Sequence, residues 1–466
     1  MINQTTLKTL SASTAIVLVT LCAGAASASP LEDMQRMIRQ QAAQIEALTR
    51  QVRKLSDKVQ SNGIAATAAR DSAKQASAQA RTLAKNAGPD LKVKWKGAPE
   101  LSSRDGRFKM KMRGRIYADL AFVNDKLNNE NTSATEFRTG RLGIEGVVWQ
   151  DVKYKFEVAL NSDETVVKDA YFEYKGWKPV GITVGQFKHP TSLEEQTSSR
   201  YTTFMERAAF TDAFGFSRRI GVGVSAHGKS WTINTGFFGQ GQGHKAQKEG
   251  WLVGGRATYM ASLGGKDRFV HLGGSAFYRK NDGGDDIIRY RQRPLAHLAK
   301  NRYVNTENFN ADSDTFFGLE LAGVMGPFSA QSEWGWIKAS RVGGGMDPTF
   351  SGGYVDVSWF ITGEHRGYKH GAFSRPKVKN PVFEGGMGAF QIAARLDYID
   401  LSDKDIMGGK QTSYIFGANW HLNNHVRFMA NYSHAVIRDA LAPGINDEFT
   451  GDNSVDAVMF RGQVDW

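Results

Sequence analysis

The chain has 466 residues, a formal net charge of +12, 50 glycines against 11 prolines, and 11% aromatic residues, with a mean hydropathy of −0.41. A polytopic helical membrane protein needs repeated apolar runs of about 20 residues, and here an apolar stretch stands only at the N-terminus. What remains is a soluble β-rich protein or a barrel that crosses a membrane with alternating strands. The excess of cations asks for an anionic partner, whether nucleic acid, acidic lipid or small anions.

Residues 1–28 read as a secretory signal: Lys8, then the apolar stretch 15–23, then the small residues Ala26, Ser27 and Ala28. Cys22, the single cysteine, follows Leu21 where lipoprotein processing wants a small residue, so it is expected to leave with the signal. The mature chain then has neither disulfide nor thiolate chemistry. No metal and no cofactor are expected.

Residues 29–60 carry a heptad repeat, with Met34, Ile38, Ile45, Leu48, Val52, Leu55 and Val59 in alternating steps of four and three and Gln41 as the polar member. That 3.5-residue period predicts an α-helical coiled coil. By the usual rule, Ile or Val at a and Leu at d favour a parallel dimer. Residues 61–99 are rich in Ala, Ser and Lys with few large apolar side chains, and read as a linker.

Residues 100–466 form the main domain, and from residue 107 the period becomes two. Phe108, Met110, Met112, Ile116, Leu120 and Phe122 alternate with Arg107, Lys109, Lys111, Arg113 and Arg115. A strand sends those sets to opposite faces. The pattern recurs in 153–161, 391–399, 413–421 and 426–433. About sixteen such segments can be counted, beginning near 107, 136, 152, 167, 181, 219, 230, 251, 269, 314, 327, 351, 388, 411, 424 and 456. Long polar connections (188–218, 280–313, 436–455) alternate with short turns, as a 16-stranded antiparallel transmembrane barrel requires. One connection, 364–385, is long on the short-turn side; either a strand is miscounted there or that turn is elongated. Trp251, Trp334, Trp336, Trp359 and Trp420 sit on the apolar face near strand ends, like interfacial girdles, which disfavours a soluble sandwich. The chain stops on an alternating strand that ends in Trp466.

A barrel of this size encloses water. A Lys or Arg facing the bilayer midplane costs about 2–4 kcal/mol, so Arg113, Arg115 and their neighbours should face the lumen, where rings of cations select anions. Arg141 shares the face of Glu145. Arg138 has the opposite parity, and Gly140 could host a bulge that turns it inward. The loop after the fifth strand carries Lys188, Arg200, Arg207, Arg218 and Arg219 and is long enough to fold into the lumen. Arg289, Arg291 and Arg293, at alternate positions of a later loop, would concentrate anions at the mouth.

Residues from about 106 to 466 resemble the phosphate-selective porins O and P of Gram-negative outer membranes. The matching stretches are 136–146, 154–157, 168–171, 184–188, 198–207, 218–223 and 359–364, and the third-loop motif is the most distinctive. The resemblance implies an outer-membrane homotrimer of 16-stranded barrels surrounded by lipid, with an inward-folded third loop. It also implies a site for inorganic phosphate or related anions made of arginines, lysines and an aspartate, for which Asp169 is the choice, and an arginine ladder at 289, 291 and 293. The heptad segment then points to trimerisation, against the dimer rule.

Three rivals stand beside this reading. A general anion porin would share the fold without a phosphate site. A barrel hydrolase would need a nucleophile elbow; serines and histidines such as His365 and His370 are present, but no such elbow is recognisable. A nucleic-acid partner is not expected, because the cations alternate with lipid-grade apolar residues.

Overall fold

The computed structural model describes residues 29–86, 91–95, 97–161, 164–239, 250–281, 286–441 and 450–466. The expected signal, 1–28, lies outside the described residues, as do residues 240–243 of a glycine-rich loop. Two compact units result, one ending at Gly88 and one starting at Pro89.

In the first unit, α1 (Ser29–Asn86) is one continuous helix of 58 residues. The heptad tract and most of the stretch read as a linker therefore share one element. The reason is composition: Ala, Gln, Lys and Arg are strong helix formers, and no proline interrupts them between Pro30, in the first turn, and Pro89. The apolar heptad residues are 52–69% exposed.

The second unit opens with a small hairpin, Leu91–Trp95 against Pro99–Ser103, which pairs with the start of the first barrel strand. Sixteen strands follow: β1 (Lys109–Asp125), β2 (Asn131–Val148), β3 (Val152–Asn161), β4 (Glu164–Tyr174), β5 (Val180–Lys188), β6 (Arg218–His227), β7 (Trp231–Phe238) and β8 (Trp251–Ser262). Then come β9 (Arg268–Lys280), β10 (Phe309–Met325), β11 (Phe328–Arg341), β12 (Thr349–Phe360), β13 (Ala389–Asp403), β14 (Ile406–His421), β15 (Val426–Leu441) and β16 (Thr450–Asp465). Neighbours pair antiparallel throughout, and β16 returns to β1 with Val464 opposite Ile116, which closes the sheet into a barrel. At the seam Trp466 and Gly114 exchange backbone hydrogen bonds of 3.0 and 3.3 Å. A side chain at Gly114 would collide with the Trp466 ring.

Outward residues such as Phe122, Leu142, Phe156, Val222 and Leu319 are exposed, while their neighbours in sequence turn inward. Stacked pairs on the outer face, including Phe328 with Trp359 and Phe390 with Trp420, supply the aromatic girdle.

The strand count stands and the anomalous turn is elongated. Between β12 and β13 the chain makes a second small hairpin, Gly367–Lys369 with Ala372–Ser374, and enters the interior. There Arg256 donates to the Gly371 carbonyl at 2.7 Å, Tyr368 OH meets His271 Nδ1 at 2.6 Å, and the Arg366 guanidinium lies 3.4 Å from the Phe373 ring centroid.

Candidate anion site in the barrel interior

The connection between β5 and β6 positions the site. It contains two short helices, α2 (Leu193–Gln196) and α3 (Ala209–Ala213), and reaches across to the far wall. Glu333 on β11 accepts the backbone N–H groups of Leu193 and Glu194 at 2.8 and 2.7 Å, so one carboxylate caps α2. Asp397 on β13 accepts the Ala209 N–H at 3.2 Å, and Asn431 on β15 accepts that of Met205 at 2.8 Å. Arg427 and Arg461 donate to the Thr202 and Met205 carbonyls at 2.8 and 2.9 Å. Phe204, Phe210, Phe214 and Phe216 pack with Phe277, Phe316 and Tyr354 of the wall in a buried apolar cluster. The loop thus fills the β9–β16 side and leaves the passage against β1–β6.

Two cavities occupy that passage. The first, about 470 Å³, is lined among the described residues by ten Arg or Lys side chains and two carboxylates, Asp169 and Glu173. Arg113, Arg115, Arg141, Lys188, Arg200, Arg207 and Arg218 are among its cations. The second, about 340 Å³, is lined among the described residues by six arginines, including Arg138, Arg293, Arg302 and Arg461, by His297, and by the carboxylates Glu195, Glu206 and Asp212. Arg141, Ser199 and Arg207 border both, so they form the junction between them.

The cations are held by carboxylates: Glu157 and Glu145 line neither cavity, whereas Asp169 borders the first and Glu195 and Glu206 the second. Glu157, 2% exposed, receives Arg115 at 2.9 Å and Arg141 at 3.2 Å. Asp169 receives Arg218 Nε at 2.6 Å and also pairs with Lys155. Glu145 pairs with Arg113, and Glu195 receives Lys188 at 3.0 Å and Arg207 at 3.2 Å. Burial alone would raise the Glu195 carboxyl, but Arg207 and Lys188 outweigh it and hold it below the ordinary value. In Glu206 burial is likewise outweighed, by Arg138 and Arg461. Each of these carboxylates is thereby compensated, and guanidinium N–H groups remain to face the passage: Arg115 meets Ser199 Oγ at 3.0 Å from the loop side.

Two β-bulges alter the parity of cations in a way simple alternation cannot: the first brings Arg138 to the second cavity, and the second displaces Lys168, which lines neither cavity. Tyr117 pairs with Thr139 and Ala118 with Phe137, which leaves Arg138 as the extra residue of β2. The bulge therefore sits at Arg138 itself, not at Gly140, and both Arg138 and Arg141 turn inward. On the next strand pair Glu157 is opposite Asp169 and Val158 opposite Val167, which leaves Lys168 as the extra residue of β4. Its ammonium lies in the field of Arg138, Arg141 and Arg218, and among the described residues it has no ion pair.

Some sequence candidates lie elsewhere. Arg219 is buried and donates to the Gly239 carbonyl at 3.2 Å, away from both cavities. Of the expected ladder, Arg293 lines the second cavity, Arg289 pairs with Glu307 at 3.0 Å, and Arg291 is exposed in a short strand pairing with Asn305. Arg302, unnoticed in sequence, joins Arg293 there. Glu157, Lys168, Glu195 and Ser199 were also missed. The adjacent charges Lys168 and Asp169 carried a usable signal, since neighbours in a regular strand cannot both face the lumen.

The family model for phosphate-selective porin O and P matches residues 110–466. An uncharacterized protein of Caulobacter vibrioides is 35% identical over 363 residues, covering 75% of this chain and 72% of the relative. Porin O of Pseudomonas aeruginosa is 27% identical over 385 residues, covering 74% of this chain and 87% of its own length. Among solved structures, an anion-selective porin from Comamonas acidovorans superposes with a TM-score of 0.52 at 13% identity, over 76% of this chain and 99% of that one, which shows a shared fold. The chain is an outer-membrane β-barrel porin and belongs to the phosphate-selective porin O and P family.

Proposed function

We propose that this porin conducts anions, with a preference for phosphate or polyphosphate, along the passage between its third loop and the β1–β6 wall. The observation that carries the reading is the lining of the first cavity, ten cations against two carboxylates. Guanidinium forks bind phosphate oxygens two at a time, whereas lysines act as mobile point charges. Arg293 and Arg302 gather anions in the second cavity, Arg141 and Arg207 pass them through the junction, and Arg113, Arg115, Lys188, Arg200 and Arg218 receive them. Asp169 keeps the trap shallow, because conduction needs binding that is also easily released. It also favours protonated phosphate by accepting its hydrogen. The outward apolar face meets lipid, residues 1–28 direct export, and the working unit is a homotrimer.

One observation favours the weaker reading of a general anion porin: the carboxylates that hold these cations leave the site only modestly positive. Chloride current through the reconstituted porin, titrated with phosphate, separates the two. Saturable block at micromolar phosphate supports a phosphate site, and anion preference without block supports the general pore. Preference for potassium over chloride would overturn both.

A further inference from the structure

The hairpin that enters the interior turns on two residues, His370 and Gly371, between the paired Lys369 and Ala372. Both are left-handed, with φ of 49° and 76°. Two such residues in a two-residue hairpin loop are those of a type I′ turn, whose first position favours Asn, Asp or Gly. An imidazole there stands against local preference, and strain of that kind is kept where the side chain serves a site. The tip itself is fixed: the Gly371 carbonyl accepts from Arg256 at 2.7 Å, and a Cβ at Gly371 would meet the Thr232 and Thr258 hydroxyls. His370 is thereby set against His227, the last residue of β6, with ring centroids 4.3 Å apart and planes tilted by 51°. Both rings are exposed and both line the first cavity. The pair therefore stands at the inner end of the passage, where the inserted turn meets the wall.

The charges that act on His370 are cationic. Lys153 comes from β3, Lys175 directly follows β4, and Lys369 belongs to the hairpin. Glu173 on β4 is shared between Lys153 at 3.8 Å and Lys175 at 3.3 Å, and Arg256 on β8 is paired with Glu320. Burial first, then His227, Lys369, Lys175 and Lys153, push the His370 imidazole down to about 4. His370 is therefore neutral at neutral pH, and part of what keeps it so is repulsion that an anion would cancel. An anion among these lysines favours the imidazolium, and by reciprocity the imidazolium favours the anion. The charged ring also donates from both nitrogens, where the neutral ring donates from one.

We infer that His227 and His370 form a proton-dependent anion subsite at the inner end of the passage, one that holds a passing anion in acid and lets it go at neutral pH. The inference deepens the anion-conducting reading above and rests on it. Lys153 and Lys175 draw the anion to the spot at either pH, and the imidazoles add charge only when a proton is available. A last station of adjustable strength serves release, since conduction needs sites of modest affinity.

The test reads phosphate block of chloride current through the full porin in planar bilayers, at about pH 7.5 and at about pH 5. His370→Asn suits the type I′ turn. Dividing its half-blocking concentration by that of the unaltered porin cancels the titration of phosphate itself. That ratio should rise at least about fivefold from the higher pH to the lower, and His227→Asn should behave alike. A ratio that stays constant for either variant overturns the pair, and block with a constant ratio leaves the anion reading standing alone. If phosphate blocks at neither pH, the phosphate site falls and the subsite is read on chloride-over-potassium selectivity. Selectivity that rises in acid more for the unaltered porin than for His370→Asn retains the subsite, and equal selectivity changes overturn it.

Discussion

Arg218 donates through Nε to Asp169 at 2.6 Å, while Lys155 holds the same carboxylate. The acid in the lining therefore restrains two of the cations that a passing anion would use. Asp169→Asn should free both. We expect phosphate to block chloride current at about tenfold lower concentration, equivalent to about 1.4 kcal/mol, while maximal phosphate flux falls because release slows. Unchanged block and unchanged chloride competition would rule out this role.

Lys168 and Arg115 should respond differently to the same kind of change. Lys168 has no ion pair among the described residues, so Lys168→Gln should weaken phosphate block about three- to tenfold and leave thermal stability unaltered. Arg115→Gln leaves Glu157 buried with less compensation, and removing one partner of such a pair costs about 3–5 kcal/mol. Its melting profile should drop as well as its phosphate affinity. A destabilised Lys168→Gln porin would contradict the assignment.

Glu333 caps α2 from the far wall. Glu333→Ala leaves the Leu193 and Glu194 N–H groups without acceptors, at about 1–3 kcal/mol each. The third loop should loosen, giving larger and noisier single-channel conductance with poorer phosphate selectivity. Quiet channels of unchanged size would show that the aromatic packing holds the loop alone.

The pH response follows from Glu195 and Glu206, whose carboxyls are held below the ordinary value by the arginines and lysine around them. A depressed carboxyl stabilises the folded state fully above its unfolded value of about 4.3, and that contribution is lost as pH falls through the depressed value. Conductance at fixed chloride should become noisy below about pH 4, as these two carboxyls take up protons. Quiet channels at about pH 3 would rule out this role for them.

Strand number and sidedness were legible because a lipid-facing wall imposes alternation on every strand. The cations of β1 could be assigned to the lumen from Phe122 and its neighbours alone. Bulges were not, because one inserted residue such as Lys168 changes parity without changing composition. The carboxylates behind the site were also hidden: Glu157 looks like any inward polar residue until Arg115 and Arg141 are seen to converge on it. The phenylalanines of the third loop had no readable period, since their partners lie on strands more than sixty residues away (Phe216 with Phe277, for example).

The packing of Phe204, Phe210, Phe214 and Phe216 against one side of the barrel has an outcome for permeability as a whole. Sixteen strands could admit bulky solutes, but an eccentric aromatic infill reduces the bore to a slit along the opposite staves. On that geometry, bulky zwitterionic or neutral solutes are expected to be turned away by shape before charge is consulted, which swelling of proteoliposomes in such solutes would check.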